Sequence, residues 1–545
     1  MKHGDLSVAR ALVPAVSRLV STHPRGRDTA SRTGVGMSAD AAGTSARATK
    51  RALALASGLL MLTLAPLLAQ GPAARPAAAP VPSYKDLKYP ALRPIQIPEV
   101  ATFTLPNGMK LYLLEDHELP VVNGTALVRT GNLFDPRDRV GLASLTGTVM
   151  RSGGTASKTG EQLDEQLENI AASVESFIGE SSGSVSFSAL KENTAEVLAL
   201  FKDILTAPEF RQDKLDLAKS QMRSGISRRN DNAEGIAERE FSDILYGKDT
   251  PYGWSEEYAT INRINRGDLQ TFYKRYFFPA NVMLGIRGDF DTAAMKAVVE
   301  KLFSDWTATQ APVPAFPKVG PAPNGGTYLA VKPDVTQTSF LIGQRGGQFN
   351  DKDYPALAIM ADILGGGFQS RLLQRVRTQM GNAYRIGADW GAGYDHPGLF
   401  EISGGTKSVS TVETIKAIRE EVERIRTTEV TEAELRTAKD TALNSLVFAF
   451  DTKAKTLGRL LTYEYYGYPK DFLQQYQKAL AAVTRADVLR VAKEHIDPAK
   501  FVLVAAGNPQ DFGQPLDALG APVTTIDLTI PADKPEPAKE LEKRP

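Results

Sequence analysis

The sequence has no cysteine among its 545 residues and only five histidines. Without a thiol, the chain cannot form a disulfide, attack a substrate as a thiolate, or hold zinc or an iron–sulfur cluster through sulfur. The histidines are His3, His23, His117, His396 and His495. No two of them are spaced to lie on one face of a helix, so no histidine pair can share a metal ion in that way.

Long apolar runs are also missing, with one exception. Ala52 to Ala69 is apolar, directly follows Lys50 and Arg51, and precedes a stretch rich in alanine and proline. This is the order of segments in a secretory signal. We therefore predict that residues 1–69 are a leader and that the protein is exported to the periplasm. The alternative is a retained membrane anchor, because the run is close to the shortest length that crosses a bilayer.

A strong charge of either sign is absent, since the formal net charge is +1. The positive excess lies in residues 1–69, so the remainder of the chain is slightly acidic. Such a body offers no basic surface for nucleic acid, and we expect no nucleic-acid partner. The apolar fraction of 42% and the charged fraction of 23% are ordinary for a globular protein, and the length indicates more than one domain.

Proline-rich segments mark the predicted boundaries. Residues 70–97 are rich in proline and alanine and are predicted to be an extended tether. Residues 306–326 contain five prolines and are predicted to be a semi-rigid linker. Residues 513–545 are rich in proline and charge, and we expect this tail to fray. Two folded parts remain, at 98–305 and 327–512.

The spacing of apolar residues predicts strands and helices in both parts. Residues 102–116 alternate like two strands joined by an Asn-Gly turn, and residues 184–190 alternate like a half-buried strand. Helices are predicted over 140–154 and 160–173 from their helical spacing. Thr194 is expected to cap a further helix that runs to Leu205.

The two parts repeat each other. Residues 267–291 align without a gap with residues 486–510, and the alignment superimposes an aspartate, a proline and a glycine in each. A second ungapped match pairs residues 134–149 with residues 349–364. A long ungapped match that also aligns its turn residues indicates two homologous halves.

The stretch Gly365 to Tyr384, GGGFQSRLLQRVRTQMGNAY, is the most specific motif in the chain. Its Ser-Arg-Leu, Val-Arg and Ala-Tyr resemble, at this spacing, the second half of pitrilysin/insulinase family metallopeptidases. With the tandem halves, the resemblance covers nearly all of residues 98–512. It implies an α+β fold with two homologous halves, each a mainly antiparallel sheet packed with helices, arranged as a clamshell.

Active members of that family carry an inverted zinc motif, His-x-x-Glu-His, on a helix of the first half. The two histidines bind Zn²⁺ and the glutamate is the general base for the metal-bound water. Here those positions hold Ser144, Gly147 and Thr148, so both ligands and the base are absent. The family's third ligand, a later glutamate, is replaced by Ser224 or Gly225.

The remaining histidines offer no substitute for that motif. We expect His117, His396 and His495 to be exposed or loop residues rather than metal ligands. In the second half Asp362 stands at the glutamate's position, but isoleucines replace both histidines. We therefore predict no cofactor in this chain.

Arg377 and Tyr384 are the residues that the resemblance marks as functional. In the family, an arginine and a tyrosine at this spacing project across the cavity to the zinc site, where they grip the substrate backbone and help to stabilise the oxyanion. A guanidinium can donate several bonds to a carbonyl, and a phenol can donate one to an oxyanion. The alternative is a surface arginine and a tyrosine at the edge of the core.

Other candidates have weaker support. The glycines 365–367 correspond to a loop that handles substrate in the non-catalytic subunit of the mitochondrial processing peptidase, but a structural turn is favoured here. Ser181, Ser182 and Ser184 have no nearby histidine to activate them. Four tyrosines cluster late in the chain and are expected to serve packing, or else an interface: Tyr463, Tyr465, Tyr466 and Tyr468.

These observations predict a non-catalytic, substrate-binding subunit of an exported two-chain zinc metallopeptidase. A zinc-bearing partner of the same family would hold the Zn, and this chain would supply Arg377 and Tyr384 to a heterodimer that encloses an unfolded peptide. Alone, the protein is expected to be inactive. The alternative is a structural or peptide-binding scaffold with no role in proteolysis.

Overall fold

The computed structural model describes residues 98–532, all of which belong to one structural unit. The predicted leader, with its signal or anchor, and the predicted tether lie outside the described residues. Within the described part of the chain, no helix combines the length and the apolar character needed to cross a bilayer.

The first half is built on a six-stranded sheet with the strand order β1-β2-β6-β3-β5-β4. Its neighbours are antiparallel except for β2 and β6, which are parallel. The strands are β1 (Ala101–Thr104), β2 (Lys110–Glu115), β3 (Val121–Val128), β4 (Ser173–Ile178), β5 (Gly183–Leu190) and β6 (Val282–Gly288).

Helices cover this sheet and follow the predicted spacing closely. They are α1 (Leu142–Ser152), α2 (Gly160–Asn169), α3 (Thr194–Thr206), α4 (Gln212–Ser227), α5 (Ala233–Tyr246), α6 (Tyr258–Arg263), α7 (Arg266–Tyr276) and α8 (Thr292–Leu302). Two details differ from the predictions. Helix α2 ends before Ala171, whose φ of 50° is incompatible with a helix, and the edge strand β4 follows. Thr194 is the first helical residue rather than the cap, and its hydroxyl donates to the carbonyl of Leu190.

The second half has a six-stranded sheet with the order β10-β12-β8-β13-β7-β14. These strands are β7 (Gly326–Val331), β8 (Gln337–Arg345), β10 (Ala383–Trp390), β12 (Leu399–Lys407), β13 (Val502–Gly507) and β14 (Val523–Thr525). Two short strands, β9 (Gly347–Gln348) and β11 (Ala392–Gly393), pair with each other.

The helices of the second half are α9 (Tyr354–Ala361), α10 (Thr411–Thr427), α11 (Glu432–Leu446), α12 (Lys453–Tyr466), α13 (Phe472–Ala482) and α14 (Arg485–His495). Two π-helical segments, Asp362–Gly366 and Leu373–Gln379, follow α9. Segments of this kind are rare and occur often at functional sites.

The strand orders confirm the predicted repeat. The order β2-β6-β3-β5-β4 of the first half recurs as β7-β13-β8-β12-β10 in the second. Only the outermost strand differs, because β1 precedes its sheet in sequence and is antiparallel, whereas β14 follows its sheet and is parallel. The predicted α+β fold of two homologous halves, each with a mainly antiparallel sheet, is confirmed.

One helix of each half packs against the sheet of the other half, and we call these two, α5 and α12, the exchanged helices. Ile236 and Phe241 of α5, in the first half, pack against Leu341 of β8 in the second half. Leu461 of α12, in the second half, packs against Tyr112 of β2 in the first half. Fully burying each such side chain contributes about 1.5–3 kcal/mol, so the exchanged helices hold the halves together.

The tail does not fray within the described residues, so that prediction is wrong up to Ala532. Strand β14 pairs with β7, and the amide of Ile526 donates to the carbonyl of Leu329 at 2.8 Å. Leu528 packs beside α5, and its carbonyl accepts a bond from Asn230 of the first half at 2.7 Å. Apolar residues spaced along the chain after Leu516 give the tail a half-buried face, which its proline content obscured.

The predicted linker, residues 306–326, contains no helix or strand before Gly326. It is nevertheless held to both halves. The hydroxyl of Tyr252, in the first half, donates to the carbonyl of Pro317 at 2.8 Å, and Arg345, in the second half, donates to the carbonyl of Pro321 at 3.0 Å.

Candidate functional site

Helix α1 holds the positions of the predicted zinc motif. Its first turn is capped by the buried carboxylate of Asp135, which accepts bonds from the amides of Gly141 at 2.8 Å and Ala143 at 2.9 Å. Burial raises the pKa of Asp135 to about 8, although these bonds oppose the shift. The fully buried side chains of Leu145 and Val149 fix the face that the helix turns to the core.

Ser144 and Thr148 use their hydroxyls locally. The half-buried Ser144 donates from Oγ to Oδ1 of Asn132 at 3.2 Å. The exposed Thr148 donates from Oγ1 to the carbonyl of Ser144, one turn earlier, at 3.0 Å. A zinc site needs three protein ligands in tight geometry, and these two side chains do not fit that requirement.

Gly147, at the position of the general base, lies directly on the edge strand β4. A Cβ atom at this position would be 2.5 Å from the amide nitrogen of Ile178, closer than any real contact of this kind. The hydroxyl of Ser176 also donates to the carbonyl of Gly147 at 2.6 Å. The space that a catalytic glutamate would need is therefore filled by β4.

The predicted positions of the third ligand lie on α4, which packs against α1. Ser224 is exposed, and its carbonyl accepts a bond from Ser227 at 2.7 Å. Gly225 has no side chain to offer a ligand. The residues present around α1 therefore do not fit a zinc ion.

The three histidines lie in three separate environments. His117 is exposed, and its Nδ1 lies 2.6 Å from Oδ1 of Asp289, which raises the pKa of His117. His396, on a loop, is largely buried and stacks on Tyr252 with ring centroids 4.5 Å apart. His495 is the last residue of helix α14, and its side chain is 35% exposed. The expectation of a fully exposed or loop residue is therefore wrong for His495.

One group among the described residues has the donor atoms for a cation: Asp353, Glu494 and His495. Arg490 already bonds to both carboxylates of this group. It donates to the two carboxylate oxygens of Asp353 at 2.8 and 3.2 Å and to Glu494 at 2.9 Å. These bonds lower the pKa of Asp353 to about 2. The group is an ion-pair cluster that ties α14 to the start of α9.

The turn after α9 brings the Gly-rich segment against the edge strand β10. A Cβ atom on Gly365 would lie 2.1 Å from the amide nitrogen of Ala388, so only glycine allows this approach. Gly367, in contrast, has no atom within 4 Å of such a Cβ. Gly365 therefore has the structural role that was favoured from sequence.

Arg377 and Tyr384 lie next to each other on the surface. The guanidinium carbon of Arg377 is 5.1 Å from the ring centroid of Tyr384 and 5.7 Å from that of Phe368. The exposed fractions are 86% for Tyr384 and 61% for Phe368. We call these three residues the aromatic–cation group. A cation that lies over aromatic faces is held in place by the ring quadrupoles.

The other arginines of the same segment are engaged differently. Arg371 forms an ion pair with Glu434 at 2.7 Å, and Arg375 forms one with Glu421 at 3.0 Å. No carboxylate within residues 98–532 is in ion-pair distance of Arg377. Its donors therefore remain available to a ligand.

Phe368 was missed from the sequence. It directly follows the three glycines, and a large apolar residue at such a place was the available signal. The role predicted for Arg377 and Tyr384 stays a prediction.

A cavity of about 590 Å³ lies beside this segment. We call it the second-half cavity. Its walls come from α9 and the π-helical turn after it, from β10 and β12, and from α11 and α13. The carboxyl of Asp362 lines it, and burial, with a smaller contribution from Asp389, raises the pKa of Asp362 to about 6. From sequence, Asp362 was noted only as a stand-in for a glutamate.

The late tyrosines serve packing, as was favoured. Tyr463 is buried, while Tyr465 and Tyr466 reach the first half. The hydroxyls of Tyr466 and Ser181 are 2.8 Å apart, and the hydroxyl of Tyr465 donates to the carbonyl of Ser181. Ser181 is therefore part of the contact between the halves.

The fold and the substituted motif together define a two-half, peptidase-like protein whose zinc-motif positions, on helix α1, carry no zinc ligands. Residues 112–252 match the model of the insulinase family (peptidase family M16), and residues 263–442 match the model of the peptidase M16 inactive domain. The chain belongs to the insulinase family, as the sequence motif predicted.

A solved structure of a peptidase M16 inactive domain from Pseudomonas fluorescens has a similar fold. The TM-score is 0.67 at 24% identity, and the match covers 75% of this chain and 98% of that one. The likeness is consistent with the predicted clamshell arrangement of the halves.

Three relatives show the range of names in the family. An "uncharacterized zinc protease" of Rickettsia bellii is 26% identical over 55% of this chain and 72% of its own. A "probable mitochondrial-processing peptidase subunit beta" of Arabidopsis thaliana is 24% identical over 79% and 84%. The "non-peptidase homolog YmxG" of Helicobacter pylori is 24% identical over 72% and 90%. These matches are consistent with a family member that is not catalytic by itself.

Proposed function

We propose that this protein is the non-catalytic, substrate-binding subunit of an exported two-chain zinc metallopeptidase. A partner of the same family would bring the His-x-x-Glu-His motif and the zinc ion. This chain would bring Arg377 and Tyr384. One observation carries the proposal: Arg377 and Tyr384 stack on the surface with donors available to a ligand, in a chain whose first half has lost every zinc ligand.

The backbone around the pair supports a presenting role. The pairing of β10 with β12 shifts register between Ala383 and Arg385, so Tyr384 lies in a bulge. Bulges re-aim a side chain and are common next to binding sites. On the other side of the pair, Val376 is fully buried, and its carbonyl accepts a bond from the amide of Asn382 at 3.1 Å. Arg377 therefore projects from an anchored segment.

The chemistry of the pair suits a peptide in a hydrolytic site. The planar guanidinium of Arg377 can donate to a substrate carbonyl, and the hydroxyl of Tyr384 can donate to the oxyanion that develops during attack. When the partner is bound, its zinc would activate water and polarise the scissile carbonyl. The two side chains of this chain would position the substrate and stabilise the charge.

The names of two relatives support a complex of one catalytic and one non-catalytic chain. The Arabidopsis thaliana protein is named as a subunit of a peptidase, and the Helicobacter pylori protein is named as a non-peptidase homolog. The first name supports an assembly of subunits within the family, and the second supports a family member that is not catalytic by itself.

The test is co-purification with the family member from the same organism that retains His-x-x-Glu-His. We expect a stable complex that cleaves unfolded peptides, whereas this chain alone binds no stoichiometric zinc and cleaves none. Zinc-dependent cleavage by this chain alone would refute the proposal. The absence of any complex would instead favour the alternative, a scaffold that binds peptides or envelope proteins without cutting them.

A further inference from the structure

We propose that the second-half cavity is a binding site for a small organic cation, an amine or guanidine on an apolar body, held by the carboxylate of Asp362. The proposal concerns a site separate from the aromatic–cation group. It does not depend on the proposed peptidase role, and either could fail without the other.

The dimensions of the cavity suit a small molecule. Its volume of about 590 Å³ lies within the range of ordinary ligand sites. Different elements bound it on several sides, so a ligand would be contacted from more than one side rather than laid on a flat surface. Polypeptide from the described residues does not fill it.

The walls combine apolar and aromatic surface. Tyr354 and Tyr476 stack on each other with ring centroids 5.3 Å apart, and both are buried. Trp390, also buried, lies on β10, and Leu446 and Leu480 line the cavity from α11 and α13. Aromatic faces attract a cation, and aliphatic side chains suit the apolar body that bears it.

The charged groups of the cavity favour a cation over an anion. Asp362, Asp389 and Glu401 all line it. The one basic residue of the lining, Arg385, forms an ion pair with Glu234 of α5. An anionic ligand would face three carboxylates with a single, already paired, guanidinium.

Asp362 is the group that most needs a ligand. Its carboxylate forms no hydrogen bond or ion pair with any residue in the range 98–532, whereas Asp389 and Glu401 make contacts of their own. With a pKa near 6, it is mostly ionised at neutral pH. The side chain is half-buried, so its charge is only partly solvated, and a bound ammonium or guanidinium would supply the partner that it lacks.

A metal ion is a poor alternative for the same site. Hard cations require several oxygen ligands around one point, and only the carboxylate of Asp362 is without a partner. An organic cation needs only one charge-assisted bond, and the aromatic walls supply the rest of its contact.

The experiment is a titration of the full chain with benzylamine and benzamidine, followed by calorimetry and by tryptophan fluorescence. Benzyl alcohol, which has the same body without the charge, is the neutral comparison. We expect both cations to bind at pH 7.5, benzyl alcohol to bind at least about tenfold more weakly, and Asp362→Asn to weaken cation binding about tenfold. Affinity should also fall as the pH drops through about 6, because Asp362 becomes protonated.

Two further variants keep the result interpretable. Asp231→Asn removes an exposed first-half carboxylate and should leave binding unchanged. Ala442→Phe fills part of the cavity while Asp362 is kept, and should abolish binding. No binding by either cation up to millimolar concentration would overturn the proposal. So would equal binding of benzyl alcohol, or cation binding that survives both Asp362→Asn and Ala442→Phe.

Discussion

The two halves share one strand order but differ where a helix meets the edge strand. In the first half, α1 is an unbroken α-helix, its polar side chains bond locally, and Gly147 lies against β4. In the second half, α9 continues into a π-helical turn. An exposed aromatic–cation group follows this turn, and a cavity with a half-buried carboxylate lies beside it. At this place the first half has side chains that pack or bond to nearby residues, whereas the second half has an arginine with available donors and a carboxylate without a partner among residues 98–532.

In both halves, a glycine allows the helical segment to pack directly against the backbone of the edge strand. Gly147 approaches the amide of Ile178, and Gly365 approaches the amide of Ala388. The similarity shows that the close approach is a property of the fold. The difference lies in the neighbouring side chains. In the second half the carboxylate of Asp362 lies beside the contact, whereas in the first half Ser144 and Thr148 carry only hydroxyls.

The largest expected effect tests whether the first-half site is closed. Gly147→Glu would restore the general base of the family but would force a Cβ into the backbone of β4. We expect the free energy of unfolding to fall by about 3 kcal/mol or more, measured by denaturant titration. Gly235→Ala, in helix α5 where a Cβ meets nothing within 4 Å, is the matched control and should not destabilise. Equal stability of both variants would show that the site is still open.

A second prediction concerns the exchanged helices. Phe241→Ala in α5 removes a ring that is 1% exposed and packs on the other half. We expect a loss of about 3–5 kcal/mol in unfolding free energy. Because α5 belongs to the first half and covers the second, both halves should unfold in one transition. Two separate calorimetric transitions would contradict the reciprocal packing.

The third prediction concerns the half-buried carboxylate of Asp362. The pKa of Asp362 in the folded chain is about 6, above its value of 3.8 in an unfolded chain. Its contribution to stability is therefore complete below about pH 4 and is lost as the pH rises through 6. Asp362→Asn should be more stable than the natural chain by about 3 kcal/mol at pH 8 and nearly equal to it at pH 3. Thermal melts across this range give the answer, and a difference independent of pH would contradict it.

The smallest expected effect separates function from stability in the second half. Arg377 and Tyr384 pack on each other but not in the core, so Arg377→Ala and Tyr384→Phe should each change the unfolding free energy by less than about 0.5 kcal/mol. Val376→Ala, which alters the fully buried neighbour, should cost more than either. A large loss in Arg377→Ala would assign that residue to structure.

Local patterns were sufficient for much of the fold. Apolar spacing located α1 and β5, the repeat predicted the shared strand order, and the motif positions showed that the zinc ligands are gone. The edge strand β4 was missed because a helical pattern continued past Asn169, where Ala171 in fact turns the chain. A single residue with positive φ has no periodic signature.

The rest depended on contacts between distant parts of the chain. The exchange of α5 and α12, the pairing of β14 with β7 and the second-half cavity each join segments that are far apart in sequence. That Arg377 and Tyr384 lie close together was implied only by the family resemblance. The bulge beside Ala383 and the contact with the ring of Phe368 were found only in the structure. The residue types indicated which side chains could bind a substrate, but not which of those side chains are exposed.

The most direct measurement is the turnover of the two-chain complex carrying Arg377→Ala or Tyr384→Phe in this chain. If the account is right, each variant still assembles with the zinc-bearing partner, while kcat/KM for an unfolded peptide falls about a hundredfold. Arg228→Ala, at an exposed arginine of the first half, should leave turnover unchanged. Full turnover by both second-half variants in an intact complex would contradict the central claim.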